Sequence, residues 1–175
     1  MPSYATYTID SELRISIPLE AFENPAWIRN GDQDTGSVGG IAMVGPRSGI
    51  QIAPQGGDFD KQRTAFLNRL STPPKDIEAS AAWMDMVRFY SACWKVLFHR
   101  HRKTYRLTIP IEAADLGLLT RKIGASITVV TDGEVLELWD KDKWSAYLQK
   151  VAASQMELHE QADELLRKRN ATLGE

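Results

Sequence analysis

The chain has 175 residues, 43% of them hydrophobic and 25% charged, values of an ordinary globular domain that exclude wholesale disorder and a collagen-like repeat. No stretch reaches the roughly 18 apolar residues of a membrane span, "MPSYATYTID" has no basic region leading into an apolar run, and the lone Cys93 can close no internal disulfide, so an intracellular protein without membrane contact is expected. A formal net charge of −2 and a pI near 6.0 exclude attraction of nucleic acid by overall charge and leave that role to a local patch.

In chain order, "TYTID" leads in with β-forming residues and alternates on through "LRISIP" as a strand that ends at Pro18, because proline cannot continue a central ladder. "LEAFENP" is a short helix-friendly piece. "GGIAMV", the turn "GPRSG" and "IQIAP" read as a hairpin, and the glycines of "GSVGG" (36–40) as a flexible loop before it. That cluster lacks the lysine and the strand-to-helix setting of a phosphate-binding loop. "FDKQRTAFLNRL" (59–70) is a helix, "STPP" (71–74) a break, and 76–98 an aromatic and apolar helix through Trp83, Met86, Val87 and Tyr90 that runs into a second lead-in strand. Within it Cys93 reads as a small buried hydrophobe rather than a nucleophile. "VLFHRHRKTY" then alternates through "YRLTIP" to Pro110, and "IEAADLGLL" is a second short helix with Gly117 as its stop. "SITVV", "TDGE" and "VLELWD" form a second hairpin. A long helix over 140–169 follows, with Asp140 as its N-cap and Trp144, Leu148 and Val151 on one face.

The two lead-in segments repeat. "RISIPLEAF" (14–22) and "RLTIPIEAA" (106–114) agree at five of nine columns with three more conservative, and their flanks repeat the order strand, short helix, strand, turn, strand. An α+β chain built twice from one plan, with a connecting helix between the copies, is the economical reading.

Arg14 and Arg106 hold the same position in both copies. A guanidinium there either reads guanine edges and clamps phosphates, or pairs with a carboxylate at a strand edge. "HRHRKTYR" (99–106) concentrates basic charge, and strand alternation puts Arg100, Arg102 and Thr104 on one face, with His99, His101 and Lys103 on the other. The run is either a solvated face or a phosphate-contacting stripe. His99 and His101 have no Cys, Asp or Glu cluster at matching spacing, so no metal site is expected, and no cofactor or catalytic set is expected either. Trp139 and Trp144 read as packing residues.

These segments resemble the MraZ family of bacterial transcription regulators, which carry two SpoVT-AbrB-type repeats. "DSELRISIP" keeps Asp10, Arg14 and Pro18 of that family's Asp-x-x-Gly-Arg motif and Ile-Pro strand end, with Leu13 in the glycine position. "RKTYRLTIP" keeps Arg106 and Pro110, with Arg102 and Tyr105 in the aspartate and glycine positions. "RFYSACW" (88–94) and "LELWDKDKWSAYL" (136–148) are similar to two further family segments, the latter most specifically through its two tryptophans. The resemblance implies repeats over 5–54 and 97–143 interleaved into one split β-barrel, connecting helices over 55–96 and a C-terminal helix over 144–175. It also implies ring-like homo-oligomers, double-stranded DNA with tandem promoter repeats as partner, a nucleoid location, and control of cell-division and cell-wall genes. DNA contacts are then expected at Arg14 and Arg106, with Arg100, Arg102 and Lys103 adjoining. A glycine in the motif allows positive φ, which Leu13 and Tyr105 are expected not to take readily.

Overall fold

The computed structural model describes residues 3–29, 31–32, 36–45, 49–75 and 77–172. The first half contains β1 (Ser3–Thr8), β2 (Arg14–Pro18), a 3-10 turn (Leu19–Phe22), α1 (Pro25–Arg29), the two-residue β3 (Gly31–Asp32), β4 (Ser37–Val44) and β5 (Ile50–Pro54). Helices α2 (Asp58–Arg69) and α3 (Ile77–Ser91) lead to β6 (Cys93–His101), β7 (Thr104–Thr108), α4 (Ile111–Leu116), β8 (Ser126–Thr131) and β9 (Leu136–Asp140), and then to α5 (Lys141–Thr172).

Eight strands pair antiparallel in the order β1-β8-β9-β5-β4-β6-β7-β2, with β3 added on β4. Its two ends, β1 and β2, lie side by side, so the sheet is a nearly closed barrel. Counting that contact as the closing step, the order is unchanged when β1, β2, β4 and β5 are exchanged with β6, β7, β8 and β9. Four pairings cross between the halves, β1 on β8, β6 on β4, β2 on β7 and β5 on β9, and alternate with the hairpins β4–β5, β6–β7 and β8–β9 within each half.

Strand period explains the core. Ile15 and Ile17 are fully buried and alternate with the partly exposed Arg14, Ser16 and Pro18, and Leu107 is buried between Arg106 and the exposed Thr108, because successive side chains face opposite sides of the sheet. Phe22, Trp27, Phe98 and Tyr105 meet edge to face with ring centroids between 4.7 and 5.6 Å apart. Trp27 arrives on α1, whose first turn is held by Asn24 Oδ1 accepting the Ala26 N–H at 2.9 Å, with Pro25 at the first helical position. Removing a fully buried ring of this kind typically costs about 3–5 kcal/mol.

Several elements depart from the sequence reading. Each single lead-in strand is a pair of strands, β1 and β2 in the first half, β6 and β7 in the second. The apolar helix expected over 76–98 stops at Ser91, since "CWKVLF" buries Val96 and Phe98 and exposes Lys95 and Leu97, a period of two. Cys93 is accordingly half-buried in β6. "GSVGG" is not a loop beyond Gly36: residues 37–40 open β4. A Cβ on Gly40 would sit 3.0 Å from Ile52 Cγ2, 3.2 Å from the Ala53 carbonyl and 3.2 Å from Val96 Cγ2, so glycine is there for close approach of three strands. The piece "LEAFENP" divides into the 3-10 turn and the start of α1. The "GPRSG" turn falls mostly on residues 46–48, outside the described residues.

Other expectations hold. α4 ends at Gly117, the "TDGE" turn joins β8 to β9 with Asp132 Oδ1 accepting the N–H groups of Glu134 and Val135, and Trp139 is buried. α2 has no side-chain cap of its own, and Glu134 Oε1 from that turn accepts the Phe59 N–H at 3.1 Å. Trp83 Nε1 on α3 donates to the Leu70 carbonyl at the end of α2 at 2.9 Å. The chain divides into two compact units, Met1–Asp140 and Lys141–Glu175. The described residues of the second form the helix α5, 32 residues long, or about 48 Å at 1.5 Å per residue, with Trp144 and Tyr147 ring centroids 5.5 Å apart in its first turns. No helix among the described residues is long and apolar enough to cross a membrane.

Candidate nucleic-acid interface

The two loops that carry the motif are built differently. Between β1 and β2, Asp10 Oδ1 accepts the N–H groups of Glu12 at 2.8 Å and Arg14 at 3.0 Å, while Leu13 N–H donates to the Asp10 carbonyl at 3.1 Å. These bonds hold Leu13 at φ 58°, so the leucine does take the left-handed conformation that glycine would supply. The cost of that conformation is about 1–2 kcal/mol, and packing of the Leu13 side chain against the core offsets it.

Between β6 and β7, pairing of His101 with Thr104 leaves Arg102 and Lys103 as a two-residue turn, and Arg102 takes φ 55°. Tyr105, the residue before Arg106 as Leu13 is before Arg14, is ordinary strand, opposite Ile17 and Arg100 and packed against the core. The second motif is thus displaced toward the turn. The basic run is therefore no continuous strand, and the alternation expected across it breaks at Arg102.

That turn decides what meets what. Arg14 stands opposite Thr108, and Arg106 stands opposite Ser16 on one side and His99 on the other. Arg14 and Arg106, 92 positions apart in sequence, become diagonal neighbours on the outer face of the β2-β7-β6 ribbon, a separation of about 7–8 Å between backbones. His101 lies farther along the same face, and Arg102 and Lys103 at its tip. Arg100 does not join them. It follows Phe98 in the core-facing phase, opposite Tyr105, and donates its backbone N–H to the Gly36 carbonyl at 3.2 Å. His99 escaped the sequence reading as a neighbour of Arg106; the only signal for it was a turn at Arg102–Lys103 without glycine.

The electrostatics of the two arginines differ. Arg14 Nε and Nη2 both donate to Asp10 Oδ2 at 3.0 Å, and Nη1 contacts the Glu12 carboxylate. The Arg14 N–H, then the Glu12 N–H and the guanidinium, hold the Asp10 carboxyl below its usual range against a smaller opposing effect of burial. Arg106 has no carboxylate beside it among the described residues, and its buried Nε has no hydrogen-bond partner. His99 Nδ1 shares a 3.2 Å hydrogen bond with Ser37 Oγ. Among the described residues no three His, Cys, Asp or Glu side chains group closely enough to hold a metal ion.

The cleft between β1 and β2, about 300 Å³, is mostly apolar, with Ile17 and Val129 in its lining and Tyr4, Tyr7 and Glu20 as its titratable groups. Burial and then the Glu20 charge push the Tyr7 phenol up.

No protein-family model matches this chain, and no curated protein matches it.

Proposed function

We propose that this chain is a sequence-specific, double-stranded-DNA-binding transcriptional regulator of the MraZ type, acting as a cytoplasmic, nucleoid-associated homo-oligomer on tandem promoter repeats of a cell-division and cell-wall gene cluster. The observation that carries the reading is the meeting of Arg14 and Arg106, the same position of two similar segments, as diagonal neighbours on one outward face. The exchange of strands that leaves the barrel order unchanged supports two interleaved SpoVT-AbrB-type repeats over 5–54 and 97–143. Arginines in such a position serve either base edges or phosphates, and the turn residues Arg102 and Lys103 extend the cationic track. Each subunit offers few contacts, so affinity comes from several copies engaging tandem sites together. This mechanism suits a chain of net charge −2.

The test is gel retardation of the DNA upstream of the protein's own gene, against a shuffled duplex at low salt. A sequence-dependent shift lost in Arg106→Glu is expected; no preference for the upstream duplex refutes the reading.

A second reading keeps the fold as a protein-interaction scaffold without DNA. The engagement of Arg14 by two carboxylates favours it. Charge reversal at both arginines separates the two: a scaffold keeps its self-association and partners, whereas a regulator loses its operator.

A further inference from the structure

We infer that Glu12 is an attenuating residue, which occupies one edge of the Arg14 guanidinium and so keeps the first half of the chain from contributing a full phosphate contact. This rests on the reading of the outer face as a polyanion interface. Two carboxylates divide the guanidinium between them. Asp10 takes the Nε and Nη2 edge through one oxygen and uses the other to hold the backbone of the turn, so it positions Arg14. Glu12 holds no backbone group among its described bonds, takes Nη1, and its side chain is 65% exposed. It adds a negative charge where a phosphate would approach and occupies the donors a phosphate would use.

The second half supplies the comparison within one molecule. Arg106 holds Arg14's position in the second of the two similar segments and is its diagonal neighbour on the ladder, yet the residues four and two places before it are Arg102 and Thr104, where the first half has Asp10 and Glu12. Arg106 is correspondingly without an ion pair among the described residues. Two similar segments thus present, as diagonal neighbours, one guanidinium engaged by two carboxylates and one without an ion pair among the described residues, its Nε buried. A guanidinium edge without a carboxylate suits a phosphate diester or sulfate oxygen, and removal of Glu12 frees the Nη1 edge of Arg14 for one while Asp10 still holds the Nε and Nη2 edge.

The experiment uses the full chain and four proteins: wild type, Glu12→Gln, Arg14→Gln and the double variant. Binding to the upstream duplex is measured across a salt series, and retention on immobilised heparin in parallel. Glu12→Gln is expected to tighten DNA binding roughly three- to tenfold and to steepen the slope of log K against log salt by about 0.9, the value of one added phosphate contact. It is also expected to elute from heparin at higher salt, and the double variant to show neither gain over Arg14→Gln. An equal gain in both backgrounds means a plain change of net charge and overturns the inference, as does no gain at all. If none of the four binds the duplex but heparin retention rises in an Arg14-dependent way, the attenuation stands and the DNA reading falls.

Discussion

Leu13 and Arg102 hold left-handed backbone without being glycine, each for a different local reason. Leu13 is fixed by the hydrogen bonds that Asp10 directs into its loop, and its side chain packs on the core. Arg102 is exposed at the tip of a two-residue turn and has no such packing. Arg102→Gly should therefore raise stability, by up to about 1 kcal/mol, because relief of the positive φ outweighs the extra unfolded-state freedom of glycine; a loss in urea denaturation would show that the arginine side chain stabilises the turn. Asp10 gives a pH signature. Its folded pKa lies below the unfolded value, so the stability it contributes is present above about pH 3.9 and disappears as pH falls through the folded value. Asp10→Asn should destabilise the protein at pH 7 and be nearly neutral at the acid end, read from melts at several pH values. The arginines should also be unequal: Arg106→Glu should weaken DNA binding more than Arg14→Glu, since Arg14 is already held by two carboxylates. The equivalence of the arginines was legible in "RISIP" and "RLTIP"; their inequality was legible only as the acids before one and the basic run before the other.

Hairpins and helix ends separate what pattern conveys from what pairing decides. Pattern located the proline-ended strands, the two later hairpins, α2 and α5, because period and punctuation are local properties. It failed at β6 and β7, where a turn of Arg and Lys carries none of the Asn or Gly that marks a two-residue hairpin. It failed again at Gly40, where a glycine chosen for crowding is indistinguishable in sequence from one chosen for looseness. Gly40→Val should cost more than about 2 kcal/mol by overpacking against β5 and β6, measurable by chemical denaturation; a stable valine variant would show that the strands can part. The cap of α2 is borrowed from the distant β8–β9 turn, so Glu134→Ala should cost about 1 kcal/mol and leave local helix propensity untouched. An unchanged melting temperature would dismiss that cap as incidental.

The barrel as a whole belongs to neither half. β1 pairs with β8 and β2 with β7, while β4 and β5 pair with each other and with β6 and β9, so a first half cut after residue 75 leaves β1 and β2 without the partners they have in the intact chain and takes one neighbour from each of β4 and β5. Such a fragment should show no cooperative unfolding as a monomer by circular dichroism and sedimentation, and should gain structure when the complementary fragment is added. A cooperative monomer would mean that the halves fold first and dock later. The long sequence separation of these pairings also implies a folding rate limited by closure of non-local contacts.

What the sequence determined by itself is the alternation of the proline-ended strands, the β4–β5 and β8–β9 hairpins, the repeated arginine position and the α+β composition, because period and punctuation are local properties of the chain. What only the tertiary structure decided is which strand lies beside which, that Arg14 and Arg106 share one face, that His99 joins Arg106 while Arg100 turns away, and that Asp10 and Glu12 occupy only one of the two guanidiniums. A strand's alternation specifies which side faces the core but carries no label for its partner; register and neighbour are chosen by the cooperative closure of the barrel.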